Sequence, residues 1–163
     1  MKQKRLLMLF ILLTVGTAVL AFFFSSQPGS TSQGLSNGLI RWATGLFGWE
    51  PGDETMKTFN YFVRKGAHFT LYFLLGFGLM GAFHWQKKIP PWIGAMILGT
   101  AFAASDEFHQ LFTARTAMVK DVVLDAVGVA VGCLVLAFCR RRRKSKTTDQ
   151  VFFRPVRSSD VCF

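Results

Sequence analysis

Charge is scarce in this chain. Only 17% of its 163 residues are Asp, Glu, Lys or Arg, while 51% are apolar and 15% aromatic. Soluble domains carry about 25% charged residues, so this composition reads as an integral membrane protein built as one compact domain. Cysteine is scarce too. Cys133, Cys139 and Cys162 show no CxxC or Cys/His spacing and read as structural, reduced thiols. Cys162, in the terminal Val-Cys-Phe, is misplaced for a prenylation box. There is no P-loop glycine run; the strings GxSxG (Gly34-Leu35-Ser36-Asn37-Gly38) and GxGxxG (Gly76-Phe77-Gly78-Leu79-Met80-Gly81) do occur, but neither follows a strand pattern, so a nucleophile elbow and a nucleotide cradle have no sequence support.

What the chain does have is apolar length. Lys2, Lys4 and Arg5 precede Leu6 to Phe24, nineteen residues without a charge. At about 1.5 Å per residue such a helix nearly crosses a hydrocarbon core of roughly 30 Å. The run exceeds a signal-peptide core and ends Phe-Phe-Phe-Ser-Ser-Gln rather than at a small-residue cleavage site, so an uncleaved first span is expected. Ser25 to Asn37 is rich in Ser and Gly and reads as a linker. Leu35, Leu39, Ile40, Trp42, Ala43, Leu46, Phe47 and Trp49 then recur near helical spacing before Pro51-Gly52, which suits a helix lying in the membrane interface. Glu54 to Lys65 leads into a second span, Gly66 to Trp85. A third begins at Trp92, with Ser105 to Phe112 continuing it, tilted or re-entrant, and a fourth runs from Ala117 to Cys139.

The expected architecture is therefore an all-α bundle of four transmembrane helices with an interfacial helix between spans one and two. Its divisions are 1–24 (cytoplasmic N-terminus and first span), 25–62 (external linker and interfacial helix), 63–139 (core of three spans) and 140–163 (basic, disordered tail). Four spans make the loops alternate sides. The N-terminus, the Lys87-Lys88 turn and the tail together hold 13 Lys/Arg against 2 acids, and the opposite side 6 against 7. Positive charge collects on the cytoplasmic side, so both termini are expected there. The net charge of +10 is thus topological, and nucleic acid is not an expected partner.

That topology brings polar residues of three spans to one depth near the outer leaflet. Arg64, Lys65, His68 and Tyr72 enter the second span; Ser105, Asp106, Glu107, His109, Gln110 and Arg115 end the third; Asp121 and Asp125 open the fourth. Asp121 and Asp125 share a helix face, as do His68 and Tyr72, and Ser105 and His109. Ionisable groups at bilayer depth are costly and by default mark a site with partners. Asp125 could instead pair with Arg115 or Arg64 simply to hold helices together. Gly128 and Gly132, four apart, read as a packing surface, and His84 as an interface residue. His68, Asp106, Glu107, His109 and Asp121 are the candidate acid–base groups, with Arg64 or Arg115 as an anion clamp. No spacing among His68, Asp106, Glu107 and His109 matches a metal motif, so no metal or other cofactor is expected.

The ordered set Arg64-Lys65-x-x-His68-Phe69-x-x-Tyr72, Ser105-Asp106-Glu107-x-His109-Gln110-x-Phe112, Arg115, Asp121, Asp125 and Gly128 resembles the VanZ-like family. These are small bacterial membrane proteins named for a teicoplanin-resistance accessory protein. The resemblance runs from about Arg64 to Gly132; where the family usually places Pro-Gly before the arginine, this chain has Thr113-Ala114. It implies a multi-span protein of the bacterial cytoplasmic membrane, linked to glycopeptide resistance. Three functions are then open: a non-enzymatic binder of membrane lipid, a lipid-linked cell-wall precursor or a glycopeptide; an acid–base hydrolase or transferase acting on a lipid-linked substrate; and a proton-coupled carrier, for which four spans are few without homo-oligomerisation.

Overall fold

A computed structural model describes residues 2–27, 29–86, 88–110 and 119–152, and no strand occurs among them. Five helices follow in order: α1 (Lys2–Ser26), α2 (Gly29–Gly45), α3 (Asp53–Phe83), α4 (Pro91–Gln110) and α5 (Val119–Phe152). Among the described residues, three stretches are long and apolar enough to cross a membrane: Gln3–Ser26, Asp53–Phe83 and Val119–Arg142. Helix α4 has 20 residues, enough for about 30 Å, but its last turn and a half holds Asp106, Glu107, His109 and Gln110 and lowers its hydropathy. Continuation of the third apolar segment past Ser105 is seen as far as Gln110.

Local chemistry sets the boundaries. Helix α2 closes in a Schellman arrangement: Trp49 N–H donates to Thr44 C=O at 3.1 Å and Gly48 N–H to Gly45 C=O at 3.1 Å. Gly48 takes φ +64, a left-handed conformation open to glycine without a Cβ penalty. Pro51-Gly52 then resets the chain, and α3 opens with Asp53 and Glu54 in its first turn, where their charge offsets the exposed N–H dipoles. Pro91 begins α4, the one helical position where a missing N–H costs nothing.

Two expectations change here. The segment 25–37 was expected as a linker, yet α1 runs to Ser26 and α2 starts at Gly29. Its Ser, Gly and Gln residues form helix because neighbouring apolar side chains, including buried Ile40, dock it on α3. The tail from Arg140 was expected to be disordered, yet α5 stays helical to Phe152, since nothing in Arg140 to Lys144 breaks a helix already propagating. Residues 153–163 lie outside the described residues, as do Lys87 and the α4–α5 connection, 111–118.

Helix α3 is the hub, packing against α1, α2, α4 and α5. The core is Tyr72, Leu75 and Leu79 of α3, Ala95 and Ala103 of α4, and Val129 and Cys133 of α5. Small residues let the backbones close up. A methyl at Gly132 would overlap the backbone of Phe73 and Phe77, and one at Gly76 would overlap Val129. The Gly128/Gly132 pair is thus a packing surface, as its spacing suggests. Outward faces are apolar, with Met8, Leu9, Leu12, Val15 and Val19 of α1 all exposed. Such a surface is stable only against lipid or another protein. Leu35, Leu39, Trp42, Leu46 and Phe47 of the α2 region are likewise exposed, Phe47 at 87%.

Candidate functional site

Helices α3, α4 and α5 deliver one polar side chain after another to a single place near the Gln110 end of α4. His68 and Tyr72 lie one turn apart on α3, and Tyr72 is fully buried at 0% exposure. Asp106 and Gln110 occupy the same relation on α4, at 2% and 5% exposure. Asp125 comes from α5 at 1%. His68 Nδ1 stands 3.8 Å from Asp125 Oδ2, beyond hydrogen-bond reach, and the imidazole is the most accessible member, with a 22% exposed side chain. Gln110 Nε2 donates to Asp106 Oδ2 at 3.5 Å. Asp106, Asp125 and Glu107 all act on the Tyr72 hydroxyl electrostatically.

This cluster is undersupplied with donors. Among the described residues, neither oxygen of Asp125, nor Oδ1 of Asp106, nor the Tyr72 hydroxyl has a hydrogen-bond partner. Buried polar atoms left so cost about 1–3 kcal/mol each, more when charged. A fold does not retain that cost in its own interest. His68, Asp106 and Asp125 also offer ligand atoms that all lie within 4.8 Å of one another.

A second layer surrounds the cluster. Lys65 of α3 pairs with Asp121 of α5, both only partly exposed, one turn nearer the helix ends. Lys65 Nζ also stands 5.6 Å from the Tyr61 ring centroid. Of the other sequence candidates, Glu107 is buried on α4, Arg64 is half-buried, and Ser105 is exposed. His109 turns the other way, toward α1: its Nε2 is hydrogen-bonded to Ser26 Oγ at 3.2 Å, and its ring stacks on Phe22 at 4.8 Å. The structure therefore separates His109 from the His68–Asp125 group, although both belong to one end of the bundle. Arg115 lies outside the described residues.

The α1 contribution was missed from sequence. Ser25 and Ser26 end α1, where Ser26 meets His109, and Ser25 is fully buried with no hydrogen-bond partner for its hydroxyl among the described residues. In the sequence its signal, a Ser-Ser-Gln step closing a nineteen-residue apolar run, speaks only against a cleavage site and for the start of a linker. A surface hollow of about 320 Å³ lined by Arg41, Trp49, Glu50 and Asp53 sits at the α2–α3 corner. Asp53 is fifteen residues before His68, some 22 Å along the helix at about 1.5 Å per residue, so the hollow is separate from the cluster.

An all-helical bundle with three span-capable stretches and an acid–imidazole cluster walled in by helices defines a class of membrane-type helical proteins. A family model described as VanZ/LLP1 matches residues 10–140, and the chain belongs to the VanZ-like family. The match takes in α1 and α2 as well as the three helices that carry the polar motif. Neither a curated protein nor a solved structure matches the chain.

Proposed function

We propose that this VanZ-like protein spans the bacterial cytoplasmic membrane four times, with both termini in the cytoplasm. Its polar cluster binds a lipid-linked or cell-wall-related ligand on the outer-leaflet side and contributes to glycopeptide resistance of the teicoplanin type. The observation that carries the reading is Asp125, 1% exposed with neither carboxylate oxygen hydrogen-bonded among the described residues, beside His68 and Asp106 from two other helices. A buried acid built without internal partners is what a ligand's donors or a bound cation would complete. The four-span arrangement is supported by packing: α4 lies against α1, α3 and α5, and Arg140 sits 5.7 Å from the Phe10 ring and 5.8 Å from that of Trp85. Those three residues mark the end of the bundle opposite the cluster, where basic charge accumulates.

The enzymatic reading draws on the same atoms, with His68 as base and Asp125 as its orienting acid, and His109 drops to a peripheral place in it. Mass spectrometry of lipids and wall precursors co-purified with the intact protein tests the proposal. A head group retained by the native chain and lost in His68→Gln supports it. Identical lipid profiles for both, with both proteins folded, refute it.

A further inference from the structure

We infer that His68, Asp106 and Asp125 form a binding site for one divalent first-row cation, with Zn²⁺ and Mn²⁺ the best matched. This deepens the proposed reading of the same cluster, and three observations carry it. The first is convergence: one ring nitrogen and two carboxylate oxygens, from α3, α4 and α5, lie within 4.8 Å of one another. Around a cation bonded at about 2.0–2.2 Å, ligand atoms sit roughly 3–4 Å apart, so small side-chain rotations close the shell.

The second is charge. Asp106 and Asp125 are 2% and 1% exposed, and Lys65, one turn from His68 on α3, is paired with Asp121 instead. Among the described residues the ionisable base shown against either carboxylate is His68, 3.8 Å from Asp125 Oδ2, so with a neutral imidazole two ionised carboxylates are buried without a balancing charge. One dication with a neutral imidazole makes the group electrically neutral. The third is orphaned valence. Both Asp125 oxygens and Asp106 Oδ1 lack hydrogen bonds among the described residues, while Asp106 Oδ2 is oriented by Gln110 Nε2 at 3.5 Å. That is the division of labour between a ligating oxygen and a held one.

The donor types choose the metal class. A nitrogen ligand disfavours Ca²⁺ and Mg²⁺, and the absence of thiolate disfavours Cu(I), leaving borderline ions. Three protein ligands leave at least one coordination position open. His68, the most exposed of the three, marks the side from which that position is reached.

The test uses the full chain in lipid nanodiscs, stripped with chelator and titrated with Zn²⁺ or Mn²⁺. Elemental analysis is expected to give one metal per chain. His68→Gln and Asp106→Asn are each expected to weaken binding by about a hundredfold or more, since even outer-shell changes cost 10–100-fold. The exposed Glu54→Gln variant should bind as the native chain does. Because Asp125→Asn risks misfolding, the second measurement is the Mn²⁺ paramagnetic resonance of the native protein, where nitrogen coupling from one imidazole is expected and should vanish in His68→Gln. No metal retained at millimolar concentration, or affinity unchanged in both His68→Gln and Asp106→Asn, overturns the site and leaves Arg115 as the counter-charge to examine. Metal binding and lipid retention are read separately, so either proposal can fail alone.

Discussion

Replacing Gly132 with alanine tests the claim that glycine-mediated contact between α3 and α5 sets the site. The new methyl would fall on the Phe73 carbonyl oxygen and the Phe77 amide nitrogen, both backbone atoms of α3. A flexible side chain could swing aside, but a helix backbone cannot, so the two helices must part. Overpacking of this kind costs about 1–3 kcal/mol, and a backbone obstacle places this case near 3, roughly a hundredfold in the folding equilibrium. Gly66 is the internal control: it is an exposed glycine within α3 with open space around its Cβ position. Gly66→Ala is therefore expected to stabilise by about 0.5–1 kcal/mol through helix propensity alone. Unfolding in mixed micelles would measure both. Asp125 lies two turns from Gly132 on α5, so Gly132→Ala should also disturb the His68–Asp125 approach and weaken metal binding. A Gly132→Ala protein as stable as the native one, or no more destabilised than Gly66→Ala, would refute the packing argument.

The Lys65–Asp121 pair is partly solvated, and Asp121→Asn is expected to cost about 0–1 kcal/mol in the same unfolding assay. A loss above 3 kcal/mol would mean the pair belongs to the core rather than its rim. For topology, single cysteines at Thr58 and Lys88 in a background without the native ones would be probed with an impermeant maleimide on intact cells. Labelling at Thr58 and protection at Lys88 are expected, and the reverse pattern would invert the proposed orientation. The lipid-retention and metal-binding experiments above complete the set.

Five polar side chains illustrate how far sequence reasoning reaches. Asp125 and Tyr72 were legible because a charged or hydroxyl side chain inside an apolar run has few places to go, and each shares a helix face with a polar neighbour one turn away. His109 was legible as a member of the same end of the bundle, but not in its direction. At 100° per residue, the three-residue step from Asp106 to His109 leaves a rotation of about 60°, enough here to turn one toward α3 and α5 and the other toward α1. Ser25 and Ser26 were not legible as site neighbours, because serine at the end of a span looks the same whether it meets water or a histidine of another helix. The helix between the first two spans was expected from Leu35, and only its earlier start at Gly29 was not legible, for a different reason. Its Ser-Gly composition is weakly helical by propensity, and tertiary packing of Ile40 and Ser36 against α3 overrides it.

Of the four spans read from the sequence, three stretches are long and apolar enough among the described residues. By itself the sequence determined that the elements are apolar helices, the asymmetry of basic charge along them, and where along each one the ionisable residues fall. Those follow from helical rise and periodicity, which are properties of one segment at a time. Which side chains face one another is a property of pairs of segments, set by the azimuth at which each helix is held. Only the tertiary structure decided that, through backbone contact at Gly76 and Gly132. That contact sets His68 against Asp125, and the packing of α4 on α3, α5 and α1 adds Asp106 within one cation's reach and leaves His109 against α1.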